Sequence, residues 1–170
     1  MMGTRSGTVD PGILIHLVRH CGSTAEDLDR ILNKESGLKG VSGLSGDMRD
    51  ILSARESGNE RARLAFDIYV HRLSAAICAM LPALGGLDVL VFTAGVGENC
   101  APLRAAVVDA LQFLNVRLDS GRNQAPLAED GEISRADSAV RAVIVHTREE
   151  YEIARECLRV ISPNRQLSIS

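Results

Sequence analysis

The chain has 170 residues, of which 45% are hydrophobic, so it can build one domain with a substantial core, or one lobe of a larger protein. Aromatic residues make up 3%, Trp is absent and the formal net charge is −3, which argues against base stacking and against a basic surface for nucleic acid. No apolar run approaches the roughly 18 residues of a membrane-spanning helix, and the N-terminus lacks the apolar core of a secretion signal. We therefore expect a cytoplasmic protein that binds neither nucleic acid nor a membrane.

Capping residues predict short helices near the start of the chain. Asp10 followed by Pro11 is typical of a helix start and leads into an apolar helical pattern. Ser23 and Glu26 have the spacing of a capping box ahead of a second helix. Glycines alternate with apolar residues across 34–46, and this pattern favours an ordered loop.

Two more helices are predicted before the middle of the chain. Asp47 can cap a short helix that begins at the next residue. A long helix then runs from 59 to about 81, with Leu64, Ile68 and Met80 among the residues of its apolar stripe. Its many alanines favour close packing against another helix or another subunit.

The second half of the chain alternates predicted strands with predicted helices. The apolar run 87–93 predicts a strand, and Pro102 opens a helical pattern. A short strand is predicted at 116–119, and 142–146 predicts a further strand that leads into a helix near Arg148. Such alternation indicates an α/β fold with a mostly parallel central sheet flanked by helices.

The glycine-spaced segment 94–99 lies between the strand at 87–93 and the helix that Pro102 opens. Strand, glycine loop and helix start, in that order, often bring backbone close to a phosphate or a nucleotide. The spacing is not specific by itself, because many strand-to-helix turns need glycine only to reverse the chain.

Polar side chains beside glycines or at strand ends are the candidates for chemistry. An arginine between glycines can hold a phosphoryl group, since its planar fork matches phosphate oxygens. A carboxylate at the end of a strand suits a ribose hydroxyl or a magnesium ion. Each also has a structural interpretation, as a helix cap or a favourable charge in a first helical turn. The candidates are Arg5, Asp47, Arg49, Glu98, Asn99 and Glu149.

Five segments, taken together and in this order, resemble the motifs of the acetate kinase family. They are MGTRSGTVDPG at 2–12, LNKESGL at 32–38, SGLSGDMRDI at 42–51, FTAGVGEN at 92–99 and TREE at 147–150. The resemblance implies the C-terminal half of a two-domain acetate kinase, with the actin-like or sugar-kinase-type ATPase fold. Residues 1–162 would then form its nucleotide-binding and dimerisation domain, followed by a frayed tail at 163–170.

The resemblance also implies roles for individual residues. Its family transfers the γ-phosphoryl group of ATP to acetate, reversibly and with magnesium, so ATP or ADP and Mg²⁺ are the implied ligands and a homodimer is the implied assembly. Arg5 resembles the catalytic arginine that steadies the transferring phosphoryl group, and Glu149 resembles the glutamate associated with magnesium. The implied nucleotide-binding residues are the adenosine triplet Asp47, Met48 and Arg49, and the loop of Ala94, Gly95, Val96, Gly97, Glu98 and Asn99.

Departures from the family pattern qualify this interpretation. Ala94 replaces a usual glycine, and its methyl group would hinder close backbone approach or a positive φ angle. The family's N-terminal catalytic motifs have no counterpart here, so we expect the N-terminal catalytic domain to be absent. Acetate or acetyl phosphate should then bind only together with that domain. We expect the lone chain to bind nucleotide weakly and to show no appreciable turnover. The alternatives are a non-catalytic nucleotide-binding or dimerisation module, and a kinase half for propionate or another short-chain acid.

Overall fold

The structure is a computed structural model that describes residues 1–126 and 129–161. The first helices are α1 (Pro11–Cys21), α2 (Ala25–Lys34), α3 (Gly37–Ser42), α4 (Met48–Glu56) and α5 (Glu60–Leu84). They are followed by β1 (Val89–Phe92), α6 (Ala94–Asn99), α7 (Ala101–Ala110), a 3-10 turn (Gln112–Leu114), α8 (Ser120–Gln124), β2 (Gly131–Glu132), β3 (Arg141–Ile144) and α9 (Glu149–Ile161). The predicted tail at 163–170 lies outside the described residues.

The helix starts follow largely from capping. Asp10 caps α1 through its side chain, as predicted. The capping box of α2 consists of Thr24 and Asp27, so the prediction of Ser23 and Glu26 is wrong by one residue. Both pairs have the same spacing and chemistry, and the sequence pattern alone does not distinguish them.

The glycine-dotted segment 34–46 contains α3 and is not entirely a loop. The N-terminal segment of the chain, which is neither helix nor strand, runs beside this short helix and accepts hydrogen bonds from its first turn, from Leu38 N to Met2 O at 2.9 Å and from Lys39 N to Gly3 O at 3.0 Å. Unpaired N–H groups at a helix start need such partners. The prediction missed the helix because its partners lie more than thirty residues away in sequence.

The long helix α5 forms the centre of the helical layer and packs against α3, α4 and α7. Ala62, Ala65 and Phe66 are its most deeply buried apolar residues. Leu64 and Met80, which the predicted stripe included, are instead exposed. The helix also continues beyond 81 and includes Pro82, which has no N–H to donate to the preceding turn, and Gly85 in the left-handed conformation ends it.

By length and composition α5 could cross a membrane, since its most apolar 18-residue window has a mean hydropathy of 1.4. Charged residues such as Asp67 and Arg72 interrupt the apolar run, so no uninterrupted apolar stretch of that length is visible in the sequence although the average stays high. In the described part of the chain it packs against α3, α4 and α7, but only 22% of that window is buried. The absence of a membrane partner therefore remains a prediction.

The sheet has the strand order β1-β3-β2. Strands β1 and β3 pair in parallel over four residue pairs, from Val89 with Arg141 to Phe92 with Ile144, whereas β2 adds a short antiparallel pairing of two residues. The predicted strand at 116–119 forms only two isolated bridges. Parallel pairing thus predominates in a sheet that is small and mixed.

One face of the sheet carries the core. Leu90, Phe92 and Ile144 are buried and belong to the same apolar cluster as residues of α5 and α7. On the other face Val89 and Val91 are 40% and 49% exposed, so within the described residues the helices cover one side only. Because β1 and β3 are parallel, the segments that leave them, α6 and 145–149, emerge at the same edge.

Glycine at position 37 permits the close contact between α3 and the N-terminal segment. Its φ is +63°, and a Cβ there would collide with Met2 O and lie 2.9 Å from Gly3 O. Gly22 has a similar φ of +67° but open space around it. We therefore predict that Gly37→Ala lowers the free energy of unfolding well beyond the roughly 1–2 kcal/mol expected for left-handed alanine, whereas Gly22→Ala loses only that amount.

Urea denaturation of the two variants measures the difference. Equal losses for Gly37→Ala and Gly22→Ala would contradict a tight contact at position 37. If Gly37→Ala loses more free energy of unfolding than Gly22→Ala, the difference measures the cost of displacing the N-terminal segment, which carries Arg5.

Candidate functional site

Asp47 and Arg49 form one wall of the candidate site at the start of α4. Asp47 Oδ1 accepts a hydrogen bond from Arg49 N at 2.8 Å and thereby caps the helix. The guanidinium of Arg49 also contacts both carboxylate oxygens, with Nη2 2.5 Å from Oδ2. This contact holds the pKa of Asp47 at about 2. The arginine side chain is 89% exposed, so the pair contributes little to stability but presents a guanidinium at the surface.

Met48, the middle residue of the triplet, anchors this wall. It is buried in the core cluster together with Ile51, one turn further along α4. The burial fixes the start of the helix, so that Asp47 and Arg49 on either side of Met48 are held at the surface.

The opposite wall is α6, which immediately follows β1. Residues 94–99 form a short helix, and the prediction of an open loop is wrong. The two glycines of this segment differ: a Cβ at Gly97 would lie 3.3 Å from the Phe92 backbone, whereas Gly95 has open space around it. Gly97 therefore lets the helix pack against β1, and Gly95 leaves the cleft side of α6 free.

Ala94, the first residue of α6, has a φ of +60°. The concern raised by alanine at a usual glycine position is thus correct, because an L-residue with a Cβ is strained in this region. Strain of this kind persists only where surrounding contacts over-determine the conformation.

Between the two walls lies a cleft of about 660 Å³. Its volume is in the range of small-molecule sites. It joins the triplet 47–49, predicted to bind adenosine, to the predicted nucleotide segment 94–99, and the two are separated by more than forty residues in sequence. Its lining consists of Gly46, Asp47, Met48, Arg49, Leu52, Gly95, Val96, Asn99, Cys100 and Pro102.

Glu98 does not line the cleft. Its carboxylate accepts hydrogen bonds from Thr147 N at 2.9 Å and from the Thr147 hydroxyl at 3.1 Å. The backbone hydrogen bond is the main reason that the pKa of Glu98 is lowered. The residue therefore ties α6 to the segment between β3 and α9, and its predicted contact with nucleotide remains untested.

Arg5 and Glu149 also lie outside the cleft lining, and both are exposed. Each is nevertheless joined to a wall of the cleft by a nearby contact. Gly3, two residues before Arg5, packs so closely on Gly46 that a Cβ would lie 2.8 Å from the Gly46 oxygen. Glu149 begins α9 two residues after Thr147, which Glu98 holds beside α6.

No group of three histidine, cysteine, aspartate or glutamate side chains that could hold a metal ion occurs in residues 1–126 or 129–161. A lone carboxylate such as Glu149 is still compatible with magnesium, which usually keeps several waters and binds phosphate oxygens with only one or two carboxylates. The residues present therefore fit a magnesium ion that arrives with a nucleotide, and do not form a cage of their own.

Sequence analysis missed Arg104 and Asn123. Arg104 Nη1 donates hydrogen bonds to Gly97 O at 2.9 Å and Glu98 O at 2.7 Å, and the rest of the guanidinium contacts Asn123. The available signal was a single arginine within the otherwise apolar and alanine-rich pattern of 101–108. Such a residue is buried only when its donors find acceptors.

We predict that Ala94→Gly stabilises the chain. Glycine relieves a left-handed backbone that costs about 1–2 kcal/mol, while its greater freedom in the unfolded chain opposes about 0.5–1 kcal/mol of that gain. Ala105→Gly, at an exposed position in the middle of α7, should instead destabilise by about 1 kcal/mol. Opposite shifts in the urea midpoint are the expected result. Destabilisation by both substitutions would contradict the strain at Ala94.

Comparisons with known proteins identify the family of the chain. The chain matches the model of the acetokinase family over residues 1–155. It is 55% identical to the acetate kinase of Cyanothece sp. (strain PCC 7425 / ATCC 29141) over 166 residues, which are 98% of this chain and 40% of that protein.

Two solved structures are also similar. The acetate kinase of Porphyromonas gingivalis matches with a TM-score of 0.84 at 43% identity, over 95% of this chain and 40% of that one. A propionate kinase from Francisella tularensis subsp. tularensis SCHU S4 matches with a TM-score of 0.82 at 34% identity, over 91% and 39%.

The chain thus spans about 40% of the length of the relatives that it matches, and it corresponds to their C-terminal part. Its fold is that of the actin-like ATPases, as the resemblance implied. The matched region includes both walls of the cleft, and the chain belongs to the acetokinase family.

Proposed function

We propose that the chain is the nucleotide-binding part of an ATP-dependent carboxylate kinase, which transfers the γ-phosphoryl group of ATP to acetate in a reversible reaction. The observation that carries the proposal is the cleft in which the triplet 47–49 faces Gly95, Val96 and Asn99. These segments resemble the family's nucleotide motifs, and the fold brings them together although they are far apart in sequence.

The cleft offers suitable chemistry for the adenosine part of ATP or ADP. Leu52, Val96 and Pro102 supply apolar surface for a purine ring. The exposed guanidinium of Arg49 can stack on that ring, since arginine is planar and weakly hydrated. Asp47, ionised and at the rim, is an acceptor for a ribose hydroxyl, as a carboxylate is in other nucleotide sites.

Arg5 and Glu149 are the proposed groups for the phosphate end. The fork of Arg5 would stabilise the charge of the transferring phosphoryl group. Glu149 would help to hold magnesium, which when bound neutralises charge on the β- and γ-phosphates. Their exposure leaves both side chains free to meet a nucleotide that extends from the cleft.

Acetate is the proposed acyl substrate because the curated relatives at 50% to 58% identity are acetate kinases. Propionate or another short-chain acid is the second candidate, since a propionate kinase is among the similar solved structures. We infer that the groups that select the acid belong to the part of the family chain outside these 170 residues.

Homodimerisation is a further part of the proposal. Helix α5 exposes a stripe at 76, 79, 80 and 83, composed of three alanines and one methionine. Small side chains let two helices approach closely, so this face suits a second copy of the chain. A cytoplasmic location, without nucleic-acid or membrane partners, completes the proposal.

We predict that ADP shifts the amide NMR signals of 47–49 and 95–99, with weak affinity. Arg49→Ala should raise the Kd by about tenfold, because one favourable guanidinium contact is worth roughly 1–2 kcal/mol. Arg63→Ala is the matched control, since Arg63 is also exposed and paired locally, with Glu60 in α5. Shifts confined to other segments, or equal effects of the two substitutions, would refute the nucleotide site.

A second prediction concerns turnover by this polypeptide alone. In-line phosphoryl transfer depends on several positioned donors, and loss of one comparable donor costs about 10²–10³ in rate. We therefore expect no acetyl phosphate above background in a coupled assay with ATP, magnesium and acetate. Formation of acetyl phosphate at rates of about 1–100 s⁻¹, which are typical of kinases, would show that these 170 residues hold a complete catalytic site.

If the chain is instead a non-catalytic assembly module, sedimentation and calorimetry should show it. Dimers that form without ATP, together with no heat of nucleotide binding, would favour this alternative over the kinase proposal.

A further inference from the structure

Arg104 is the most deeply buried charged side chain in the described part of the chain, with only 3% of its surface exposed. It lies in α7, beside the nucleotide cleft but not in its lining. All the hydrogen bonds that the structure gives its guanidinium go to neutral oxygens, those of Gly97, Glu98 and Asn123. Burial accordingly lowers its pKa.

Burial of a cation without a carboxylate partner is costly, and a hydrophobic residue of similar size would often serve stability as well. The contacts of Arg104 indicate what its charge achieves. Nη1 reaches the last carbonyl groups of α6, where the negative end of the helix favours a cation. Asn123 occupies the other donors, at 2.8 Å from Nε and 2.6 Å from Nη2, and fixes the guanidinium in place.

Helix α6 needs such support. It has only six residues, far below the length at which a helix is stable in water, and it starts at the strained Ala94. Its cleft-facing residues Gly95, Val96 and Asn99 can keep one geometry only if the far side of the helix is fixed. Arg104 and the Glu98–Thr147 hydrogen bonds act on that far side.

We propose that Arg104 is a positioning residue for nucleotide binding, which acts by holding the carbonyl groups of Gly97 and Glu98 from behind the cleft wall. The inference rests on the proposed nucleotide site. Asn123 acts with Arg104, because it orients the guanidinium and is itself held by a hydrogen bond from its Nδ2 to Ala101 O at 3.1 Å.

Arg104→Lys is the principal test, since lysine keeps the charge but loses the planar fork that reaches four acceptor contacts at once. We expect the ADP Kd from NMR titration to rise about tenfold, as for loss of a charged hydrogen bond. Arg61→Lys is the matched control. Arg61, at an exposed position, also donates to carbonyl oxygens near the end of a short helix, those of Val41 and Gly40 in α3, and the hydrogen bonds that the structure gives it do not involve α6. The ADP Kd of the Arg61→Lys variant should stay within about twofold of that of the unmodified chain.

Hydrogen exchange supplies a second readout that a general loss of stability would not reproduce. The amide of Cys100 bonds Val96 O at 3.0 Å and reports opening of α6. In Arg104→Lys, hydrogen exchange at the Cys100 amide should accelerate more than exchange at the amides of α5. In Arg61→Lys, exchange at Cys100 and exchange in α5 should change by the same factor.

Asn123→Ala is the variant of choice if Arg104→Lys does not fold, because it removes only the acceptor of Nε and leaves the bonds to Gly97 O, Glu98 O and the backbone oxygen of residue 123 possible. We expect a smaller rise in the ADP Kd, of about threefold, and faster exchange at Cys100. If the unmodified chain binds ADP and these variants bind it equally well, only the positioning role is refuted. If the unmodified chain shows no ADP-dependent shifts at 47–49 and 95–99, the proposed nucleotide site fails, and this inference fails with it.

Discussion

The parallel pairing of β1 with β3 is the constraint on which the rest of the site depends. Because the strands run in the same direction, α6 and the segment before α9 leave the sheet at one edge. The Glu98 carboxylate then joins them through Thr147. An antiparallel arrangement would place these segments at opposite edges, and Glu149 would no longer begin its helix beside α6.

The second wall is positioned by contacts that sequence patterns describe only in part. Asp47 as a helix cap, the long helix after 59 and the strands near 90 and 143 follow from local patterns of capping and hydrophobicity. The short helices α3 and α6 do not, because their stability comes from distant partners. The N-terminal segment supports α3, and Arg104 supports α6. Local propensity favours neither segment as a helix, since both are rich in glycine.

The motif at 92–99 illustrates what a resemblance can and cannot provide. It correctly indicates the family and the place of the segment after β1, and it identifies Ala94 as a point of strain. It does not separate Gly95, which faces open space, from Gly97, which packs on Phe92. Nor does it separate Asn99, which lines the cleft, from Glu98, which faces Thr147. Those distinctions depend on the direction of each side chain.

Strain and support at α6 are physically connected. A left-handed alanine favours unwinding of the turn, and a helix of six residues has little intrinsic stability to oppose this. The opposing free energy has to come from contacts outside the helix, and a buried guanidinium with several acceptors is a strong source of it, because charged hydrogen bonds strengthen at low dielectric. The same contacts leave the cleft face of α6 unobstructed. In the proposed site a nucleotide would therefore meet a wall that is already ordered, and the free energy of its binding need not be spent on folding the turn.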